Sequence, residues 1–355
     1  MKYALIGCGR VSKNHIKAAT LNDLEIVALC DIIPEKAQKL IADFSLSDVK
    51  IFTDYKKMIS ETKPDFVAIA TDSGKHAEIA IYCAENKINF IVEKPIAMSI
   101  QDADKIIEIV EKNNVTACVS HQNRFNIAVQ HLHNAIETDR FGKISHGSIN
   151  IRWHRGDDYY TAENWRGKWA SDGGTLMNQC IHGIDLLSWM LGEEVDEVYG
   201  MTNNAFHKCI EGEDIGVAVI RFKNGAVATV EGTVNCFEDF EQTLTIFGEN
   251  GTVRLGGHYA NKVDTWRFSD NLPEDDETLA VDEKAKNVYG NGHTSLYSDF
   301  IYSIENNRKP YVDLYVGKRA IEIVLAIYKS QKTGLPVKFP LKEFASIDMT
   351  GEFDK

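Results

Sequence analysis

Five short apolar runs in the first 122 residues are separated by stretches of helical periodicity: "YALIG", "EIVALCD", "FVAIAT", "NFIVEK" and "TACVSH". A sixth, shorter run, "IFTD", lies near residue 51. Uninterrupted apolar runs of this length are buried on both faces, and the gaps between them carry helix patterns over 11–20, 34–44, 54–62, 75–87 and 99–113. Strands joined by helices at this spacing form βαβ units, and these close only one way, into a right-handed, doubly wound parallel sheet. Residues 1–121 are therefore expected to be one dinucleotide-binding type of domain.

The rhythm changes after residue 122. A helix over 126–139 leads into longer strand patterns, "ISHGSINIRW", "EVYGMT", "IGVAVIRF", "AVATVEGTV", "QTLTIFG" and "GTVRL". Asn224-Gly225 and Asn250-Gly251 stand between such runs, and Asn-Gly is the strongest short hairpin signal. The expectation over 122–355 is an α+β domain with a large, open, mostly antiparallel sheet. Residues 269–287 are acidic and poorly patterned and read as a surface loop. Helices are expected near 294–306 and 317–332, the second ended by Gly334 and Pro336. A chain of 355 residues with 44% apolar and 26% charged content has enough core for two domains without a metal or disulfide staple.

Charge excludes some partners. The net charge is −13 with no basic run, which argues against nucleic acid and anionic membrane surfaces. The seven cysteines are scattered, odd in number and lack a C-x-x-C pair, so free thiols in a reducing, cytoplasmic setting are expected, and no zinc site or other metal. No signal peptide pattern precedes the first strand, and no apolar run reaches membrane-spanning length.

The segment "ALIGCGRVSKNHIKAA" puts Gly7 and Gly9 between the first strand and the first helix. Gly7 suits a tight turn, and Gly9 lets the backbone approach a pyrophosphate at the helix N-terminus, beside Arg10 and Val11. Ser12 stands where a third glycine would pack strand against helix. Asp31 ends the second strand 22 residues beyond Gly9, where an acid holds a ribose hydroxyl. Ile32 and Ile33 follow it, with no arginine to neutralise a 2′-phosphate, so NAD is expected over NADP.

Ligands of such sheets collect beyond the carboxyl ends of the strands, which are Gly7, Asp31, Thr71, Lys94 and Gln122 here. Lys94, in "FIVEKPIAM", is the informative one. A lysine that ends an apolar strand faces the cofactor crevice or snorkels to water, and the residue type leaves both open. Pro95 fixes the chain after it, and the bond between them is a candidate for the cis form. Glu93 is a candidate partner of Lys94. His15 and His76 read as helix-start or packing residues, not catalytic groups.

Two further stretches carry chemistry. In "GGTLMNQCIHGIDLLSWMLG", Gly173 to Gly192, an apolar face of Leu176, Met177, Cys180, Ile184, Leu187 and Leu191 opposes a polar stripe of Asn178, His182 and Asp185. The stretch "IRWHRGDDYYTAENWRGKWASDGG", 151–174, concentrates Trp153, Tyr159, Tyr160, Trp165 and Trp169 with Arg152, Arg155, Arg166 and Lys168. Aromatics stack on sugar or base rings and arginines bind carboxylate or phosphate in pairs of bonds. Asp157, Asp158 and Glu163 nearly balance those cations, so a rigid aromatic loop or an oligomer contact remains the alternative.

Together, "GCGRVSKNH", "CD", "EKP", "HQNRF" and the Gly173–Gly192 stretch resemble the glucose–fructose oxidoreductase / inositol dehydrogenase family over essentially the whole chain. Within it, the chain is most similar to the UDP-N-acetylglucosaminuronate 3-dehydrogenases. The resemblance implies a cis bond before Pro95, Lys94 at the reacting centre, and His182 supplied by a helix across the crevice. It also implies a homodimer or homotetramer packed face to face. The cofactor candidates are Gly7, Gly9, Arg10, Val11, Asp31, Thr71, His76, Glu93, Lys94, Gln122, Trp165 and Arg166. The substrate candidates are Asn123, Arg124, Arg155, Tyr160, Arg166, Asn178 and His182. Many members carry Asp where this chain has Asn178. Asn cannot shuttle a proton, so Asn178 is cast as an anchor for a sugar hydroxyl.

The implied reaction oxidises the C3 hydroxyl of a UDP-N-acetyl-hexosaminuronate with NAD, for surface-polysaccharide synthesis. His182 is taken as base and Lys94 as the group bonded to the oxygen, with the reverse assignment open. Two alternatives stand beside it: a dehydrogenase of a free sugar, inositol or amino-sugar, and a catalytically silent NAD-binding regulator.

Overall fold

The computed structural model describes residues 1–284 and 292–354. They form two compact units, the first from Met1–Ala97, Gln101–Gln122 and 292–318, the second from Met98–Ile100, 123–284 and 319–354.

The first unit contains strands β1 (Lys2–Ile6), β2 (Glu25–Cys30), β3 (Lys50–Phe52), β4 (Phe66–Ile69), β5 (Asn89–Val92) and β6 (Ala117–Val119). All pair in parallel in the order β3-β2-β1-β4-β5-β6. The connecting helices are α1 (Ser12–Leu21), α2 (Pro34–Phe44), α3 (Tyr55–Thr62), α4 (His76–Glu85) and α5 (Ile100–Asn113). Apolar runs became central strands because both faces are covered: Leu5, Val67 and Ile91 are fully buried, each contributing about 1.5–3 kcal/mol of burial. Helix α10 (Gly292–Glu305) also belongs here. Its Tyr297 meets Tyr3 edge-on at 5.9 Å, and its Phe300 meets Phe66 at 5.3 Å.

The second unit is built on an eight-stranded sheet. Its strands are β7 (Ile144–Arg152), β8 (Val195–Asn203), β9 (Ile215–Phe222), β10 (Val227–Thr233), β11 (Glu241–Gly248), β12 (Gly251–Gly256), β13 (Lys262–Phe268) and β14 (Val337–Lys338). The order is β13-β12-β11-β7-β10-β9-β8-β14, antiparallel except for the parallel pair β7/β10. Both Asn-Gly pairs join antiparallel neighbours, β9 to β10 and β11 to β12. The helices are α6 (Ile127–Glu137), α7 (Asp157–Thr161), α8 (Ile181–Met190), α9 (Asp275–Leu279) and, from Arg319 onward, α11 (Leu314–Thr333). Along β9 exposure alternates residue by residue, the signature of a sheet with one covered and one open face.

Three sequence expectations change. The helix expected over Gly173–Gly192 is a π-turn, Leu176–Cys180, followed by α8. Gly173 and Gly174 precede it in left-handed conformation, at φ +79° and +87°. Nor is the helix two-sided: Ile181, Leu186 and Met190 are as buried as its expected apolar face. Within the acidic stretch 269–287, residues 275–279 form helix α9, while 285–287 lie outside the described residues. Arg140 pairs with Asp270 at 2.7 Å and Asp275 at 2.9 Å, so these acids bind the unit rather than only water. Strand β13 escaped notice because its charged Lys262, Asp264 and Arg267 interrupt the apolar pattern every second or third residue.

Beneath the π-turn lies a fully buried carboxyl, Glu213. Burial pushes it up to about 8, against the pull of the Leu176 N–H and the Tyr328 hydroxyl, at 2.7 and 2.8 Å from Oε1. Gly174 is required beside it, since a Cβ there would lie 1.8 Å from Oε2. The neutral acid stabilises the fold fully below its ordinary value of 4.5, and that contribution is lost as pH rises to about 8, costing about 4–5 kcal/mol in all. Glu213→Gln should therefore lose less stability than the wild-type chain between pH 6 and 9, read by urea unfolding at both values. Parallel losses would show that the buried carboxyl carries no proton at neutral pH.

Candidate active site

In the first unit the chain reverses strand order between β1 and β4, and the residues expected to hold a cofactor follow the strand ends. Gly7 follows β1 with φ +95°, and a Cβ there would stand 2.3 Å from the Ala70 carbonyl oxygen, so packing demands glycine. Gly9 differs: a Cβ there would meet no atom of the described residues within 4 Å. None of the described residues requires Gly9 to be small, whereas a pyrophosphate laid against the turn would. Helix α1 starts just beyond, with exposed Arg10 before it and Val11 at the capping position, where the Val11 side chain makes no capping hydrogen bond. Such an end favours an anion. Ser12 fills the third-glycine position fully buried, its hydroxyl bonded to the Gly9 carbonyl.

Asp31 follows β2. Its two oxygens accept the backbone N–H groups of Cys8 and Ile33, each at 2.8 Å. A carboxylate has about four acceptor positions, so it stabilises the glycine turn and still has capacity for ribose hydroxyls. Ile32, 85% exposed, stands next to it where a 2′-phosphate would need a cation. The residues present thus fit NAD.

Thr71 follows β4 half-buried, and Gln122 lies buried beyond β6. Lys94 follows β5, half-buried, and its bond to Pro95 is cis. The turn is held from both sides. His76, at the start of α4, sets Nδ1 2.7 Å from the Pro95 carbonyl, and burial lowers its pKa, so the neutral ring donates there. Glu93 is buried, with Oε2 3.3 Å from the Lys94 backbone N–H and Oε1 3.0 Å from His15 Nε2.

The second unit assembles the aromatic stretch around Tyr159. The Arg166 guanidinium lies 4.2 Å from its ring and donates to its carbonyl at 2.7 Å, and Arg155 lies 5.5 Å from the same ring. Gln179 donates to the Tyr159 hydroxyl at 2.9 Å and to Asn178 Oδ1 at 2.6 Å, and accepts from Arg155 Nε at 3.1 Å. Asn178 in turn donates to Asp172. Burial and the Asp172 charge raise the Tyr159 hydroxyl, keeping it a neutral donor and acceptor. Trp165 stands 5.5 Å from Arg166. Tyr160, a substrate candidate, is 6% exposed and packs on Tyr159 at 5.1 Å and on His207 at 5.3 Å. Tyr159, Gln179 and Asp172 are the additions. Tyr159 was visible among the aromatics, whereas Gln179 and Asp172 gave no signal of their own.

Arg124 and Asp185 find each other. The guanidinium makes two bonds to the carboxylate, at 2.8 and 2.7 Å, both side chains 4% exposed. Trp189 lies under Arg124 at 4.3 Å, and His133 stacks on Trp189 at 3.9 Å. Arg124, a substrate candidate, and Asp185, of the polar stripe, are thus bonded to each other, which anchors α8. Asn123 is buried beside Arg124. His182 is half-buried at the second residue of α8, directly after the π-turn, a distortion frequent at functional sites.

Residues 1–121 match the NAD-binding Rossmann fold of the oxidoreductase family, and residues 133–339 match its C-terminal alpha/beta domain. The chain belongs to the GFO/IDH/MocA oxidoreductase family. Its relatives include the myo-inositol 2-dehydrogenase of Thermotoga maritima, 24% identical over 95% of this chain and 98% of that one. The D-apiose dehydrogenase of Paraburkholderia graminis is 27% identical over 73% of this chain and 68% of that one. Among solved structures, the WlbA dehydrogenase of Bordetella pertussis, in complex with NADH and UDP-GlcNAcA, is 34% identical with a TM-score of 0.87. The match covers 96% of this chain and 99% of that one. The WlbA dehydrogenase of Chromobacterium violaceum, in complex with the same two molecules, is 32% identical with a TM-score of 0.88, covering 96% of each chain. The protein is an NAD-dependent dehydrogenase of the kind that acts on sugar hydroxyl groups.

The two glycines should separate by experiment. Gly9→Ala should keep the wild-type melting temperature yet bind NADH about tenfold more weakly, read by fluorescence titration. Gly7→Ala should lose at least about 2 kcal/mol of stability. Equal NADH affinity in Gly9→Ala and the wild-type chain would exclude the turn as the pyrophosphate site.

Proposed function

We propose that the protein oxidises the C3 hydroxyl of UDP-N-acetylglucosaminuronate to the ketone, as a step in making a surface polysaccharide. The observation that supports this reading most is likeness along the whole chain, at 32–34% identity, to two dehydrogenases crystallised with NADH and UDP-GlcNAcA. The arginine pair Arg155 and Arg166, stacked about Tyr159, supplies local cations that an acidic chain needs to hold a uronate or a diphosphate. Asn178, Arg155 and Arg166 are our substrate-binding candidates.

NAD, when bound, supplies the hydride acceptor. The residues of this chain handle the proton and the oxygen. In this reading His182 takes the hydroxyl proton as the C3–H and O–H bonds break and the C=O bond forms. Lys94 hydrogen-bonds that oxygen and stabilises the charge developing on it. The seven free cysteines fit a reducing cytoplasm.

The reading includes a homo-oligomer. Met201, Val217, Val219 and Val227 stand 45–58% exposed on the open face of the second unit's sheet, an apolar patch suited to a second copy. Sedimentation equilibrium should give a dimer or tetramer, and a monomer at micromolar concentration excludes that packing.

Inositol and apiose dehydrogenases among the relatives favour the second reading, a free-sugar substrate. Calorimetry of the NAD-loaded protein with UDP decides between them: binding supports the nucleotide sugar, no binding the free sugar. Lys94→Met should lower kcat on UDP-N-acetylglucosaminuronate about 10²- to 10⁴-fold with NAD affinity unchanged. A variant that keeps most of its turnover removes Lys94 from the reaction.

A further inference from the structure

Glu93 is the residue before the candidate catalytic lysine, and it is buried as an ion. Three elements enclose its carboxylate. From α1, His15 Nε2 lies 3.0 Å from Oε1, and from α10, His293 Nε2 lies 3.6 Å from the same oxygen. The other oxygen, Oε2, is 3.3 Å from the backbone N–H of Lys94. The imidazoles are themselves braced. They meet edge-to-face at 5.4 Å, and His15 Nδ1 is 2.8 Å from the Tyr297 hydroxyl, which is 3.0 Å from that of Tyr3.

The energetics oppose a purely space-filling role. Burial alone would push Glu93 up, and the His15 hydrogen bond together with the nearby His293 ring overcomes it, leaving the carboxyl well below its usual range. Burial also lowers His293, which favours its neutral ring, with Nε2 3.6 Å from Oε1. A buried charge is costly unless its lone pairs are met, and an apolar side chain would fill this space more cheaply. The cluster keeps a charged acceptor in one position, and one bond it makes is to the backbone of Lys94.

We propose that His293 is a positioning residue for Lys94: with His15 it fixes the Glu93 carboxylate, whose Oε2 anchors the Lys94 N–H while His76 holds the Pro95 carbonyl from the other side. The proposal rests on the reading of Lys94 as a reacting group. It brings into the site a residue from the far end of the chain that sequence patterning left unnoticed. The donor atoms of His15, Glu93 and His293 also lie within 4.8 Å of one another, which makes a bound metal the competing use of the same cluster. His15 has a neighbour at each ring nitrogen, and Glu93 turns one oxygen to a backbone N–H, so hydrogen bonds account for His15 and Glu93 without an ion.

The test compares His293→Leu with His293→Gln, whose amide keeps a polar N–H group at this position. In the leucine variant kcat should fall about 10- to 100-fold with the KM for NAD held within about threefold, since a misplaced ammonium costs rate and not cofactor binding. Loss of this polar neighbour raises Glu93, so the acid limb of the kcat–pH profile should move up. The other titratable groups facing Glu93 are His15, Tyr297, His76 and Cys118, and they are unchanged in both variants. The glutamine variant should recover most of kcat and the wild-type profile. If the leucine variant does not fold, His293→Asn, too short to reach Oε1, takes its place with the same expectation.

Wild-type kcat and pH profile in a folded leucine variant would overturn the proposal. So would equal losses in the leucine and glutamine variants, or a stoichiometric metal in the purified protein that the leucine variant lacks. Lys94→Met is measured alongside. Loss of activity there with none in His293→Leu ends the positioning role and leaves the lysine's own role intact.

Discussion

The position of β4 beside β1 is the constraint on which the first unit depends. After β3 the chain must return across the sheet to pair on the far side of β1, and only glycine at position 7 lets the two strand ends come together, at 2.3 Å between a would-be Cβ and the Ala70 oxygen. Because all six strands run the same way, their carboxyl ends share one edge. A glycine turn, a carboxylate at β2, a threonine at β4 and a lysine at β5 arrive there from positions scattered over some ninety residues. None needs a special loop to reach its place. The sheet delivers them.

Two buried glutamates show how the same chain solves one problem in opposite ways. Glu93 meets two imidazoles and stays ionised. Glu213 meets a backbone N–H and a tyrosine hydroxyl, neither carrying charge, and holds its proton to about pH 8. The first lies beside Lys94 and the second beneath the π-turn that carries Asn178. Each ties a functional segment to its own unit's core. The Arg124–Asp185 pair does the same for α8 by a third means, a full ion pair with two bonds. Anchoring carried by buried polar groups is geometrically specific in a way that apolar packing is not, at the cost of stability that depends on pH.

What the sequence disclosed follows from what is local. Periodicity located α2 over Pro34–Phe44 and β9 over Ile215–Phe222 to the residue, because both lie in uninterrupted patterns bounded by clear breakers. Gly7, Asp31, Thr71, Lys94 and Gln122 could be read as strand ends because a strand end is a sequence event. The π-turn could not, since its Leu176 and Cys180 pack against Gly232 of a strand some fifty residues on, a contact that no local pattern announces. His293 and Gln179 were invisible for the same reason: their partners are distant in sequence or indistinguishable from an ordinary polar surface. Arg124 was noticed as a substrate candidate and Asp185 as part of a polar stripe, and pattern alone cannot say that a cation and an anion sixty-one residues apart will bond to each other.

The central claim is that this chain removes hydrogen from C3 of a uronate held on UDP, with Lys94 and His182 managing the oxygen and its proton. Its most direct test is a single turnover with NAD and UDP-N-acetylglucosaminuronate carrying deuterium only at C3, followed by mass spectrometry of the reduced cofactor. The account predicts that the cofactor gains the deuterium and the sugar becomes a ketone at that carbon. Reduced cofactor without the label, or a sugar that keeps its deuterium while cofactor is consumed, would contradict it.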